Sequence, residues 1–256
     1  MSEPESLKSA LLRDGGFKHG FFTRLGGQSR GEFAALNLSL TQGDNEQDVR
    51  ANRLIVQRAL GVNRLVLARQ VHGTEAVVLA DEDDVSSAIA APPECDALIA
   101  CTTGHAVGIL TADCVPILIA DPESGAAAAV HAGWRGTLHN IALGAVDALS
   151  NATGSRPQAL IAAMGPAIGP ASYKVGRDLA DSFADSFGDD VVRREADGPK
   201  LDLWAANDLN LQRAGLLPEN IELLAEDTYA QPERFFSYRR NNNTGRQGSF
   251  IAARQR

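Results

Sequence analysis

Between Ala97 and His131 the chain passes through four short apolar runs: Ala97–Thr102, Ala106–Thr111, Val115–Ala120 and Ala126–His131. Turn signals such as Thr103-Gly104 and Asp121-Pro122 separate them. Apolar stretches this short, without helical spacing, fit strands buried on both faces and joined by tight connections. Such strands need covering layers, so the chain is constrained to an α/β architecture with a sheet core rich in antiparallel neighbours.

Other segments supply the layers. FKHGFFTR reads as an earlier strand, ending at a loop around Leu25-Gly26-Gly27. Gly43-Asp44-Asn45 opens a helix expected from Glu46 to Leu60, and Gly61 closes it. Arg64 to Val71 and Ala76 to Ala80 read as strands broken by His72-Gly73-Thr74. Thr137 is placed as the cap of a helix reaching about Asn151, with Leu138, Ile141, Ala142, Ala145 and Leu149 on one stripe. A strand over Ala159 to Met164 runs into the loop Gly165–Pro170. Helices near Val175 to Phe187 and Leu203 to Ala214 follow, then strands near Ile221 to Leu224 and Phe235 to Tyr238. Nothing marks an internal boundary. The expectation is one α/β domain over residues 1–256, with residues 1–16 as an N-terminal extension.

At 256 residues the chain can bury a sizeable core. No apolar run reaches the eighteen or so residues of a membrane span, and MSEPESLKSALLRDGG lacks the apolar core of a secretion signal. A cytoplasmic protein without membrane partners is expected. The net charge of −8 argues against a broad face for polymeric nucleic acid. Cys95, Cys101 and Cys114 form no CxxC pair and fit reduced thiols. One region departs from the acidic balance: Arg234, Arg239, Arg240, Arg246, Arg254 and Arg256 fall in a stretch without acids or lysines. That stretch is either a solvated basic terminus or a pocket for a small anion.

His72, Cys114 and His131 all fall at strand ends, where a sheet offers side chains to a cleft. Two imidazoles and a thiolate suit zinc with a fourth position open to water. Their separations match no zinc-ligand spacing rule, so buried polar residues satisfied by backbone are the competing reading.

The motifs HGFFTRLGG, LNLSL, GDNEQDVRANR, RQVHGTE, TADCVPILIAD, AAVHAGWRGT, GPAIGP and FFSYRRNNNTGRQ occur in this order. Together, from about Phe17 to Ile251, they closely resemble the laccase-domain family, also called polyphenol oxidase-like and purine nucleoside phosphorylase. The resemblance implies a single-domain α/β/β/α sandwich with mixed, largely antiparallel sheets, similar to the cysteine-hydrolase-like toxin fold. It implies that His72, Cys114 and His131 bind the catalytic metal, usually zinc. It implies phosphorolysis of adenosine, inosine, guanosine and methylthioadenosine, and deamination of adenosine. A purine nucleoside and phosphate are then the partners, in a monomer or small homo-oligomer.

Within that frame Asp113, beside Cys114, is a candidate proton carrier, or else an acid that orients a ligand. Arg135, expected at a helix start, is the first candidate for phosphate, with Arg239, Arg240 and Arg246 as a second clamp. Asn37 is a candidate substrate contact or a turn residue. Where relatives commonly carry cysteines and a glutamate, this chain has Ala171, Ser172 and Lys174, and Asp227 where they often have a cysteine. Five histidines without an HxH pair oppose a trinuclear copper cluster, although copper competes well for a single nitrogen-sulfur site and would give oxidase activity as a side reaction. Two alternatives come from other classes. One is a Cys-His amidase editing peptidoglycan precursors. The other is a non-catalytic purine-binding protein.

Overall fold

Along Val115–Ala120 successive side chains enter two different cores. Val115, Ile117 and Ile119 pack on one side, Leu118 and Ala120 on the other. The neighbouring strand Ala127–Ala132 divides the same way, with Ala128, Val130 and Ala132 opposite Ala127 and Ala129. A sheet covered on both faces needs no polar alternation, which explains the unbroken apolar runs.

The computed structural model describes residues 3–255, so Met1, Ser2 and Arg256 lie outside the described residues. A six-stranded sheet runs in the order Ile221–Leu223, Ile161–Met164, Val115–Ala120, Ala127–Ala132, Ala97–Ala100, Ala76–Leu79. A five-stranded sheet runs Ser6–Leu7, His19–Phe22, Gln247–Ala252, His105–Thr111, Arg64–Leu67. The two sheets face each other across a core that includes Phe21, Val107, Ile109, Leu98, Leu118 and Ile251. The helix Glu46–Leu60 covers the outer face of the five-stranded sheet, through Val56 and Leu60. Helices Ile141–Thr153, Arg177–Phe187 and Leu203–Arg213 cover the six-stranded one. The architecture is the α/β/β/α sandwich, with mixed sheets. Its parallel pairs all involve edge strands: Ile221–Leu223, Arg64–Leu67 and Ala76–Leu79. No helix among the described residues is long and apolar enough to cross a membrane.

Glycines admit two buried rings, Gly165 between the sheets and Gly108 opposite Phe250 within the five-stranded sheet. A Cβ on Gly165 would sit 2.0 Å from the Phe21 ring, and one on Gly108 would sit 2.1 Å from the Phe250 ring. Both rings are fully buried and have nowhere to retreat. Gly165→Ala is therefore expected to destabilise the fold by about 1–3 kcal/mol. Urea denaturation checks this, and an unchanged midpoint would contradict it.

Several local expectations are corrected. The helix expected from Thr137 is two helices, Trp134–Leu138 and Ile141–Thr153, separated at Asn140 by a φ of 63°. Thr137 is not a cap. It lies inside the first helix, and its hydroxyl pairs with Asn207. Phe235 to Tyr238 forms no strand; both phenylalanines are fully buried, and the Gln247 amide exchanges two hydrogen bonds with the Phe236 backbone. A side chain replaces the strand partner there. Residues 6–14 pack against the sheets. Ser6–Leu7 pairs with His19–Phe22, Leu12 is fully buried, and Ser9 caps the helix Ala10–Asp14 while Glu222 accepts from Ser9 Oγ and the Ala10 and Leu11 N–H groups. Gln247–Ala252, read as part of a basic stretch, is the middle strand of the five-stranded sheet.

Candidate metal centre and its cavity

Strand register assembles the centre. Ala97 pairs with Val130 and Pro116 with His131, so Asp96 falls opposite His131 on one side. The two-residue period puts His131 on the face of Ala127 and Ala129, toward the other sheet. Cys114 ends the turn before Val115, and His72 reaches the same place from the loop after Arg64–Leu67. One donor atom from each of His72, Cys114 and His131 lies within 4.8 Å of the others. The two imidazole rings stand nearly perpendicular, 83° apart, with centroids at 4.8 Å. Gly133 leaves the room they need: a Cβ there would come within 3.0 Å of the Cys114 sulfur and 3.2 Å of His72.

Asp96, which the sequence reading missed, organises this group. It is fully buried. Its Oδ1 accepts from His131 Nδ1 at 2.7 Å and from the His72 N–H at 3.0 Å. Its Oδ2 accepts from the N–H groups of Gly73 at 2.7 Å and Val71 at 3.2 Å. One carboxylate thus fixes the imidazole of His131, whose other nitrogen meets Cys114, and the backbone of His72. His72 has a φ of 58°, a left-handed conformation that these N–H contacts hold. The only local signal for Asp96 was an acid just ahead of an apolar strand.

Electrostatics pair a Cys114 thiolate with a protonated His131, a proton that a metal must displace on binding. Burial pushes the Cys114 thiol up, but His131 and His72 outweigh it and bring it down to about 6. Burial pushes His131 down, while the Cys114 charge and Asp96 raise it to about 9. Burial works against the Asp96 charge as well, yet the His131 and Gly73 donors hold its carboxyl below the usual range. A thiolate between two imidazoles, one backed by a carboxylate, fits zinc and, less selectively, copper.

His72, Cys114 and His131 lie in the wall of a cavity of about 910 Å³. Five arginines line it (Arg53, Arg69, Arg135, Arg239, Arg246) against one carboxylate, Asp113, in a chain of net charge −8. Asp113 adopts a φ of 100°, and both its oxygens are engaged: Oδ1 accepts from Thr228 Oγ1 and Oδ2 from the Arg239 N–H, each at 2.7 Å. Arg135 is exposed and stacks on Trp134, in a helix of only five residues. Arg239 stacks on Tyr173, which also lines the cavity.

Two sequence candidates are used elsewhere. The Arg240 guanidinium donates to the carbonyls of Thr228, Tyr229 and Phe235, holding the Arg239 turn rather than lining the cavity. Asn37 is fully buried and bonds Ser39, Asp44 and the Arg246 N–H, so it shapes the loop instead of meeting the cavity. Ser172 and Asp227, two positions that depart from the family pattern, meet each other through a 2.6 Å hydrogen bond.

Residues 18–254 match the family model described as multi-copper polyphenol oxidoreductase laccase. The chain belongs to this family. A purine nucleoside phosphorylase of Deinococcus radiodurans is 38% identical to this laccase-family chain over 243 residues, covering 93% of the chain and 90% of the relative. One from Streptomyces coelicolor is 34% identical, covering 92% and 95%. The crystal structure of YlmD from Geobacillus stearothermophilus matches with a TM-score of 0.86 at 34% identity, covering 93% and 92% of the two chains. Although the laccase-family description speaks of several coppers, His72, Cys114 and His131 are the one such donor group among the described residues.

Proposed function

We propose that this protein is a zinc-dependent purine nucleoside phosphorylase that also deaminates adenosine. The observation that carries the reading is a His–Cys–His group set in the wall of an arginine-lined cavity in an acidic protein. The similar phosphorylases of Deinococcus radiodurans and Streptomyces coelicolor support the same substrate class. Adenosine, inosine, guanosine and methylthioadenosine are the proposed nucleosides.

In phosphorolysis a phosphate oxygen bonds to ribose C1′ while the bond from C1′ to the purine nitrogen breaks. The electron pair leaves with the purine, which takes up a proton, giving free base and ribose 1-phosphate. His72, Cys114 and His131 would hold the metal, which would supply Lewis-acid polarisation. The chain's own groups do the positioning. Asp96 orients His131, and arginine guanidinium groups offset the charge of the phosphate. Burial and the Cys114 charge push the Tyr173 hydroxyl up to about 12, so it faces the cavity as a neutral donor. Asp113 is assigned a positioning role, because both its oxygens already accept hydrogen bonds from the chain.

One observation favours a second reading. Asp96, His131 and Cys114 follow one another as carboxylate, imidazole and thiol, the order of a nucleophile with its base. An amidase acting on peptidoglycan precursors would use them so. Against it, His72 adds a second imidazole on the same sulfur, which a triad does not need.

The test is metal content of the purified protein together with turnover of adenosine and inosine, with and without phosphate. Near-stoichiometric zinc and base release that requires phosphate are expected. Nucleoside binding without turnover would leave only a purine-binding protein, and absence of both metal and turnover would favour the amidase.

A further inference from the structure

We propose that Arg53 and Arg246, joined through Leu38, form the subsite for the phosphate dianion, an assignment that rests on the phosphorolytic reading above. The two arginines come from distant parts of the chain, the helix Glu46–Leu60 and the start of the strand Gln247–Ala252. One residue ties them together. Arg53 Nε donates to the Leu38 carbonyl at 2.9 Å, and the Leu38 N–H donates to the Arg246 carbonyl at 3.1 Å.

Register brings Arg246 to the metal centre. Gln247 pairs with Thr111, so Arg246 falls opposite Ala112, one residue from Asp113 and two from Cys114. Both arginines line the cavity, and neither forms an ion pair among the described residues. Arg53 spends only Nε, and Arg246 spends Nη1 on the carbonyls of Thr244 and Gly245. The remaining guanidinium N–H groups have no protein acceptor among the described residues. Burial works against both positive charges, a cost that a bound dianion offsets.

Stacking does not set the pair apart, since Arg246 lies over Tyr238 as Arg135 lies over Trp134 and Arg239 over Tyr173; Arg69 is paired with Glu94, and Arg239 donates to the Lys174 carbonyl.

The experiment titrates inorganic phosphate into the metal-loaded protein by calorimetry and measures KM for phosphate and for inosine separately. Arg53→Gln and Arg246→Gln are expected to weaken phosphate binding and raise its KM by tenfold or more, with inosine KM changed less than threefold. Arg58→Gln, on the exposed side of the same helix, removes the same charge and leaves both unchanged. Urea midpoints measured on the same variants separate a lost contact from a lost fold. Phosphate binding within threefold of wild type in Arg53→Gln and Arg246→Gln overturns the assignment. If wild type binds phosphate and the variants lose it while no base is released, the subsite stands and the phosphorylase reading fails.

Discussion

Cys114→Ala is expected to abolish metal retention and to lower kcat/KM for phosphate-dependent base release by about 10³-fold or more, roughly 4 kcal/mol of transition-state stabilisation. The sulfur is the one charged donor of the set, and both histidines bond to it. Without it two neutral imidazoles remain, and a tetrahedral site loses its strongest ligand for a soft divalent ion. Elemental analysis and steady-state kinetics on the same preparation check this; metal retained at wild-type stoichiometry would refute it. The metal-stripped wild type separates the two chemistries. With the thiol drawn down to about 6, its alkylation rate should rise through pH 6 and level off by neutral pH, and added zinc should suppress it. Zinc that suppresses alkylation while base release begins fits the phosphorylase. Turnover of an amide substrate by the stripped protein fits the alternative.

Asp96→Asn should weaken zinc binding by about 10–100-fold and destabilise the fold by about 3 kcal/mol at pH 7. The carboxylate accepts from four N–H groups, two on each oxygen. An amide must turn its NH₂ toward two of those donors, and at zero exposure no water relieves the conflict. His131 then loses the partner that fixes its tautomer. The run Val71-His72-Gly73 loses the acceptor that holds His72 at positive φ. The pH dependence has a definite sign. Because the folded carboxyl titrates lower than the unfolded one, its contribution is present above the unfolded pKa near 4. It is lost as pH falls through the folded value, so the stability gap between wild type and variant should close in acid. Chelator competition and urea denaturation at several pH values measure both effects. Zinc affinity within twofold of wild type would remove Asp96 from the metal centre.

Local signals carried much of the fold. Asn45 caps the helix Glu46–Leu60 through two backbone N–H groups, and Gly61 ends it at a φ of 61°, both within a few residues of the boundary they mark. The apolar runs of the central strands announce burial on both faces in the same local way. Residue types also narrowed the chemistry. His72, Cys114 and His131 stood at strand ends, and the motifs around them marked the family.

Partnership was not local. Asp96 meets His131 because Ala97 pairs with Val130, and Arg53 meets Arg246 only through Leu38. A side chain's neighbours across a sheet are set by register between segments far apart in sequence, which no window of residues contains. The same rule decided against Arg240 and Asn37. Both are polar and near the site in sequence, yet buried backbone groups took their hydrogen bonds. The sequence determined which donors the chain owns and which segments are buried. Only tertiary structure decided which donors face the cavity, because unpaired polar backbone in the interior must be satisfied before a ligand is.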